Sequence, residues 1–174
     1  MTPDPIDILR VRAQVLARED KPENPGLKSL EVMEFRLAHE AYAVETRWVE
    51  EVYPFKDLTL LPHTPAFIRG VVNVRGRILP VFDLKRFFDL PEKGLTDLHR
   101  IIVVRGQDQQ LGLLADVIVG IRGVPLDSLQ SSLPTLTGIR GDYLKGVNVE
   151  RLVVLDLARI LADPKIIVHQ EVDL

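Results

Sequence analysis

The chain of 174 residues contains no cysteine. This excludes a disulfide framework, a thiolate nucleophile and any zinc site built on sulfur ligands, and it suits a reducing cytoplasm. No apolar run approaches the length of a membrane span. The opening segment sets Arg10, Arg12 and Arg18 among apolar residues and lacks both the unbroken apolar stretch and the small-residue cleavage site of a secretory signal. The expectation is a cytoplasmic protein without direct membrane insertion, reaching a membrane only through a partner. An excess of positive charge is also missing: the formal net charge of -3 gives no global attraction to phosphate backbones, so no nucleic acid is expected as a partner.

Catalytic patterns are equally scarce. The histidines His39, His63, His99 and His169 are scattered over expected turns and a tail, with no neighbour at metal-ligand spacing, and read as surface or turn residues. Adjacent Glu50 and Glu51 point in different directions in a helix or a strand and cannot form an acid pair by themselves. Five Arg-Gly pairs occur, but none sits in a phosphate-loop or dinucleotide spacing, and no interleaved aromatics suggest RNA-binding repeats. No cofactor and no metal are expected.

What is present is a chain rich enough in apolar residues, 46% against 27% charged, to offset the entropy of ordering. Over residues 5–18, Ile8, Val11, Val15 and Leu16 share one helical face, and the helix stops at Pro22-Glu23-Asn24-Pro25-Gly26. Residues 1–29 therefore read as an extension with a short amphipathic helix and a Pro-rich linker, and residues 30–174 as the body.

From Ser29 the texture becomes short runs rich in Val, Ile, Leu and Phe, broken by Gly, Pro, Asp and Asn. Strands are expected at 31–37, 41–45, 71–74, 77–81, 100–104, 110–114, 117–122, 144–149 and 151–155, giving an all-β body of small barrels or a sandwich. Short helices should follow Asp83 and Asp156, each of which can cap the Leu-rich segment after it.

The body also carries a degenerate duplication. Phe67-Ile68-Arg69-Gly70 matches Tyr143-Leu144-Lys145-Gly146, and both copies close on an aliphatic strand ending in Asp-Leu, at Asp83-Leu84 and Asp156-Leu157. More weakly, Ala41 to Val52 lies over Gln110 to Ile121, each an edge-like strand running into a Val-rich turn. Two similar lobes follow, with Gly70 and Gly146 in equivalent places. One Asp per lobe leaves open a two-lobed β hydrolase using Asp83 and Asp156, but neither is followed by the small hydroxyl and glycine of a catalytic turn.

Two places read as binding surface. Arg75 stands in an expected hairpin turn, where a guanidinium can project and fork onto a carboxylate. In Thr64 to Gly70, the residues Pro65, Phe67 and Ile68 gather apolar groups beside Arg69 outside a clear strand, a texture that commonly marks an interface.

The run TPAFIRGVVNVRGRILPVFDL, Thr64 to Leu84, resembles the signature of the CheW family, with Asn73-Val74-Arg75-Gly76 and Pro80-Val81-Phe82-Asp83-Leu84 as its later elements. Phe35-Arg36-Leu37, Tyr42-Ala43-Val44, Val49-Glu50-Glu51-Val52, Leu111 to Asp116 and Tyr143 to Gly146 resemble other family elements in the right order, from about Leu30 to Leu161.

The resemblance implies two intertwined five-stranded SH3-like β-barrel lobes and a non-enzymatic adaptor. Its implied partners are the regulatory domain of a CheA-type histidine kinase and the cytoplasmic tip of chemoreceptors. By position, Val49, Glu51 and Arg75 would lie at the receptor contact, while Gly70 and Gly76 would hold the turns that shape the surface. With Phe67, Ile68, Arg69 and Asn73 these form the expected partner-binding set. An adaptor of the same family serving surface motility or gene regulation is the alternative.

Overall fold

The computed structural model describes residues 28–164, apart from 93, 95, 97, 108 and 132–138. The expected helix at 5–18 and its linker lie outside the described residues. Ten strands are present: β1 (Ser29–Leu37), β2 (Glu40–Glu45), β3 (Val49–Pro54), β4 (Ile68–Val74), β5 (Arg77–Phe82), β6 (Arg100–Arg105), β7 (Gln110–Ala115), β8 (Val117–Pro125), β9 (Leu144–Val147) and β10 (Leu152–Leu155). Short helices α1 (Leu84–Phe87), α2 (Ile139–Asp142) and α3 (Leu157–Ala162) and two 3₁₀ turns, Thr46–Trp48 and Leu126–Ser128, connect them.

Each of the two sheets has five strands, in the orders β8-β1-β2-β10-β9 and β3-β6-β7-β5-β4. The first sheet therefore takes two strands from the first half of the chain and three from the second, and the other sheet does the reverse. This exchange is the intertwining expected from the family resemblance. A parallel pairing closes each exchange, Val81 against Gly112 in one sheet and Val154 against Ala43 in the other.

The duplication is written into the backbone bonds. Asp83 N–H donates to the Phe67 carbonyl at 2.7 Å, and Asp156 N–H donates to the Tyr143 carbonyl at 2.7 Å. An isolated bridge flanks each glycine, Thr59 with Val71 after Gly70 and Gln130 with Val147 after Gly146. Gly70 has φ +149, and a Cβ there would stand 2.1 Å from the Thr59 carbonyl oxygen, so only glycine lets the two chains approach this closely.

Side-chain alternation sorts the apolar residues into three clusters. Along β6, Ile101 and Val103 face a cluster with Val72, Leu79 and Leu114, while Ile102 and Val104 face a central one. Along β10, Leu152 and Val154 meet Val32 and Ala43, whereas Val153 and Leu155 face the same central cluster. Strands buried on both faces read as continuous apolar runs, which is why the sequence shows them so clearly. The central cluster, with Phe35, Tyr42, Phe82 and Leu113 fully buried, is where side chains from both sheets meet.

Both expected caps are in place. Asp83 accepts from Lys85 N–H at 2.9 Å at the start of α1, and Asp156 accepts from Arg159 N–H at 3.2 Å at the start of α3. Asp83 is fully buried and also takes Arg69 Nε at 2.8 Å. Each carboxylate is committed to its own helix, and the hydrolase reading falls with that.

Several expectations need correction. The Val-rich turn after β2 is a 3₁₀ turn followed by strand β3, an edge strand whose adjacent glutamates hid its alternation. The strand expected at 144–149 ends at Val147, and the following one starts at Leu152. Asn148 explains both limits, since its side-chain oxygen accepts from Glu150 and Leu152 N–H at 3.0 and 2.9 Å and holds a turn instead.

The segment before Gly70 is not an exposed apolar cluster outside a strand. Ile68 opens β4 and is buried, and Phe67 packs on Phe82 and Phe87 with ring centroids 4.9 and 5.3 Å away. Nor is His99 a surface histidine. It is buried with Nε2 3.0 Å from Asp116 Oδ1, where Lys85 Nζ also sits at 2.6 Å. Ala38 N–H donates to the other Asp116 oxygen at 2.8 Å, so one carboxylate ties together both halves of the duplication.

Candidate partner-binding surface

The β4–β5 hairpin turns in two residues, with Val74 facing Arg77 across it. Arg75 at φ +53 and Gly76 at φ +82 both take left-handed backbone, which a two-residue turn of this hand requires. The Asn73 side-chain oxygen accepts from Gly76 N–H at 2.8 Å and fixes the bend. Asn, Asp or Gly normally fills the first turn position, and an arginine there costs on the order of 1 kcal/mol. That strain places a long cation at the outermost point of the hairpin.

Glu51 aims it. Arg75 Nε donates to Glu51 Oε2 at 3.1 Å, with 76% of the Arg75 side chain exposed against 20% of the Glu51 side chain. Glu51 stands on β3 at a bulge: Val49 pairs with Val104 and Glu51 with Val103, leaving Glu50 as the extra residue. Glu50 turns instead toward Arg77 and Gln110. Arg77 Nη1 lies 2.8 Å from Gln110 Oε1 and 3.4 Å from Glu50 Oε1, and Gln110 Nε2 donates to Glu50 Oε2. Strands β3 and β4 end opposite sides of their sheet, so the Glu51–Arg75 pair marks where the curled sheet brings its edges together.

Of the expected binding residues, Glu51, Asn73, Arg75 and Gly76 meet at this tip. Val49 lies at the start of β3, lining a surface groove of about 490 Å³ with Arg47, Trp48 and Glu50 on one side and Arg105, Gly106 and Gln107 on the other. Phe67, Ile68, Arg69 and Gly70 are placed elsewhere. Phe67 and Ile68 serve the core, Gly70 allows the close approach of Thr59, and Arg69 serves the Asp83 cap while its Nη2 also reaches Glu92 at 2.8 Å. The hydrogen bond from Arg86 holds the Glu92 carboxyl below its ordinary range, with the Arg69 charge adding to the effect.

The sequence reading missed the groove. Its signal was the lone tryptophan, flanked by Arg47 and by Val49-Glu50-Glu51. The Arg47 guanidinium lies 5.0 Å from the Trp48 ring centre. Among the described residues no group of histidines and carboxylates could hold a metal ion, and no helix is long and apolar enough to cross a membrane.

Two strand-exchanged sheets, tied by a shared apolar centre and carrying an ion-paired hairpin tip, define a double-lobed binding domain. Comparison with known proteins gives that class its family. A model of the CheW-like domain matches residues 31–165, and the chain belongs to that family. It is 27% identical to a Treponema pallidum protein named chemotaxis protein CheW, over 80% of this chain and 86% of that one. With the protein FrzA of Myxococcus xanthus it shares 32% identity over 85% of this chain and 91% of the relative. The crystal structure of the scaffolding protein TtCheW from Thermoanaerobacter tengcongensis superposes with a TM-score of 0.66 at 30% identity, covering 74% of this chain and 89% of that one.

Proposed function

We propose that this protein is a non-enzymatic scaffold of chemotaxis-type signalling that holds a CheA-type histidine kinase, through its regulatory domain, to the cytoplasmic tip of chemoreceptors. Membership of the CheW-like family supports the class of function. The single observation that carries the surface is Arg75, strained into left-handed backbone, mostly exposed, and aimed by Glu51. A fold under no demand at that position would place Asn or Gly there. Val49, one bulge away on the same strand as Glu51, lines the neighbouring groove, so apolar surface and charge share one edge strand, which is the mixture that interface centres use. Recruitment to membrane-bound receptor arrays would then come through the receptor.

The test is reconstitution with kinase and receptor-bearing membranes, measuring co-sedimentation and kinase activity. Arg75→Ala removes an exposed pair worth about 0 to 1 kcal/mol of folding, whereas an arginine central to an interface contributes roughly 2 kcal/mol or more of binding. The expected result is an unchanged melting temperature with assembly weakened about tenfold or more. A variant that assembles and activates the kinase like the parent contradicts the assignment.

A further inference from the structure

The groove beside Val49 has a chemistry of its own. One wall carries Arg47 and Trp48 from the 3₁₀ turn before β3, and the other carries Arg105 at the end of β6. The indole is half-buried with one side packed on the central cluster, so it offers a fixed aromatic surface. Arg47 is braced twice, by its approach to the indole and by Nε at 2.5 Å from Glu45, a buried carboxylate that Lys145 also contacts. With Nε committed to Glu45, the Nη1 and Nη2 edge of the guanidinium is the part left for a ligand. Arg105 is exposed, and among the described residues it has no ion-pair partner. Glu50, the acid lining the same groove, is already engaged by Arg77 and Gln110.

We infer that this groove is a specificity pocket that takes an acidic side chain next to an apolar one from the receptor segment bound at the Arg75 tip. The inference rests on the receptor-coupling function and refines it: the tip fixes where the receptor sits, and the groove selects which receptor sequence is accepted. Charge complementarity decides the occupant. The two guanidiniums favour a carboxylate, the exposed part of the indole takes the apolar neighbour, and a basic segment would meet repulsion from Arg47 and Arg105.

The chain's single tryptophan reports on the groove directly. The probes are a receptor cytoplasmic-tip fragment and the same fragment with its glutamates and aspartates changed to the corresponding amides, each titrated into the full-length chain while Trp48 emission is followed. The acidic fragment should change the emission on binding. The amide fragment, and the Arg105→Glu variant with the acidic fragment, should each bind about tenfold or more weakly, and Arg105→Glu should melt like the parent because its side chain is exposed. Binding with unchanged emission, or equal binding of both fragments, overturns the pocket while leaving the Arg75 assignment standing, provided Arg75→Ala still weakens the complex. If the parent chain does not bind the fragment at all, the receptor reading fails and the pocket with it.

Discussion

The two hairpins that end the duplicated units, β4–β5 and β9–β10, share a backbone plan and differ at their tips, the first carrying Arg75 and the second both Glu150 and Arg151. In the first, the hairpin supplies the cation and β3 the anion, as Arg75 on Glu51. In the second, the hairpin supplies the anion: Glu150 is held 2.8 Å from Arg122 of β8, which also reaches Glu34 at 3.5 Å. The turns differ too, since the first is a tight two-residue bend and the second a longer one organised by Asn148, with Val149 left 86% exposed. What the copies keep are the glycine beside an isolated bridge, the capping aspartate and the matched backbone bonds that make a lobe. What they change is the tip, where a partner would be recognised.

That division can be broken at its structural end first. Gly70→Ala should be the most damaging change, at about 4 kcal/mol or more, because its Cβ would stand 2.1 Å from a backbone oxygen at a φ that L-residues avoid. Gly146→Ala meets Leu129 Cβ at 2.9 Å and Gln130 O at 3.1 Å and should cost about 1 to 3 kcal/mol. Urea midpoints of the two variants check the order, and equal losses would contradict the tighter backbone approach at Gly70.

The caps should differ in the same direction. Asp83→Ala removes one of the two carboxylates that hold the partly buried Arg69 and uncaps α1, for about 2 to 3 kcal/mol. Asp156→Ala mainly removes a partly buried cap whose only ionic neighbour among the described residues is the exposed Arg159, for about 1 kcal/mol. Thermal denaturation separates them.

A smaller difference sits at the paired aromatics. Tyr143, the counterpart of Phe67, donates a hydrogen bond to Asp163, and that bond together with burial pushes its phenol up to about 12. The neutral phenol is the favoured form in the folded state, so this contribution is fully present below pH about 10 and is lost as pH rises from there through about 12. Tyr143→Phe should cost about 1 kcal/mol at neutral pH and flatten the alkaline loss of stability. A parent chain with the same alkaline profile as the variant would contradict the Asp163 bond.

Much of this was legible in the sequence, for identifiable reasons. Strands buried on both faces announce themselves as apolar runs, and a Gly or Asp that does one structural job recurs at the same place in both copies. Edge strand β3 was not legible, because Glu50 and Glu51 sit at a bulge that breaks alternation. Ile68 was misplaced because a base and a proline nearby imitate a surface, while the cap that consumes Arg69 lies fourteen residues along the chain. His99 looked like a turn residue, since Asp116 meets it only across the far end of the β6–β7 pair and Lys85 joins them through the exchanged parallel pair β5–β7. For the candidate site, the Arg75–Glu51 neighbourhood followed from the family pattern, but the groove around Trp48 required the two walls to be brought together in space.

The most direct test of the central claim is the double charge swap Glu51→Arg with Arg75→Glu, measured for stability and for assembly with kinase and receptor membranes in the same preparation. The swap preserves an exposed ion pair, so the melting transition should stay within about 1 kcal/mol of the parent. If the tip is there to be read by a partner, assembly should nevertheless fall about tenfold or more, because the cation now sits on β3 and the anion at the hairpin. Assembly equal to that of the parent would show that the pair serves only to join the edges of the sheet, and the functional surface would have to be sought elsewhere.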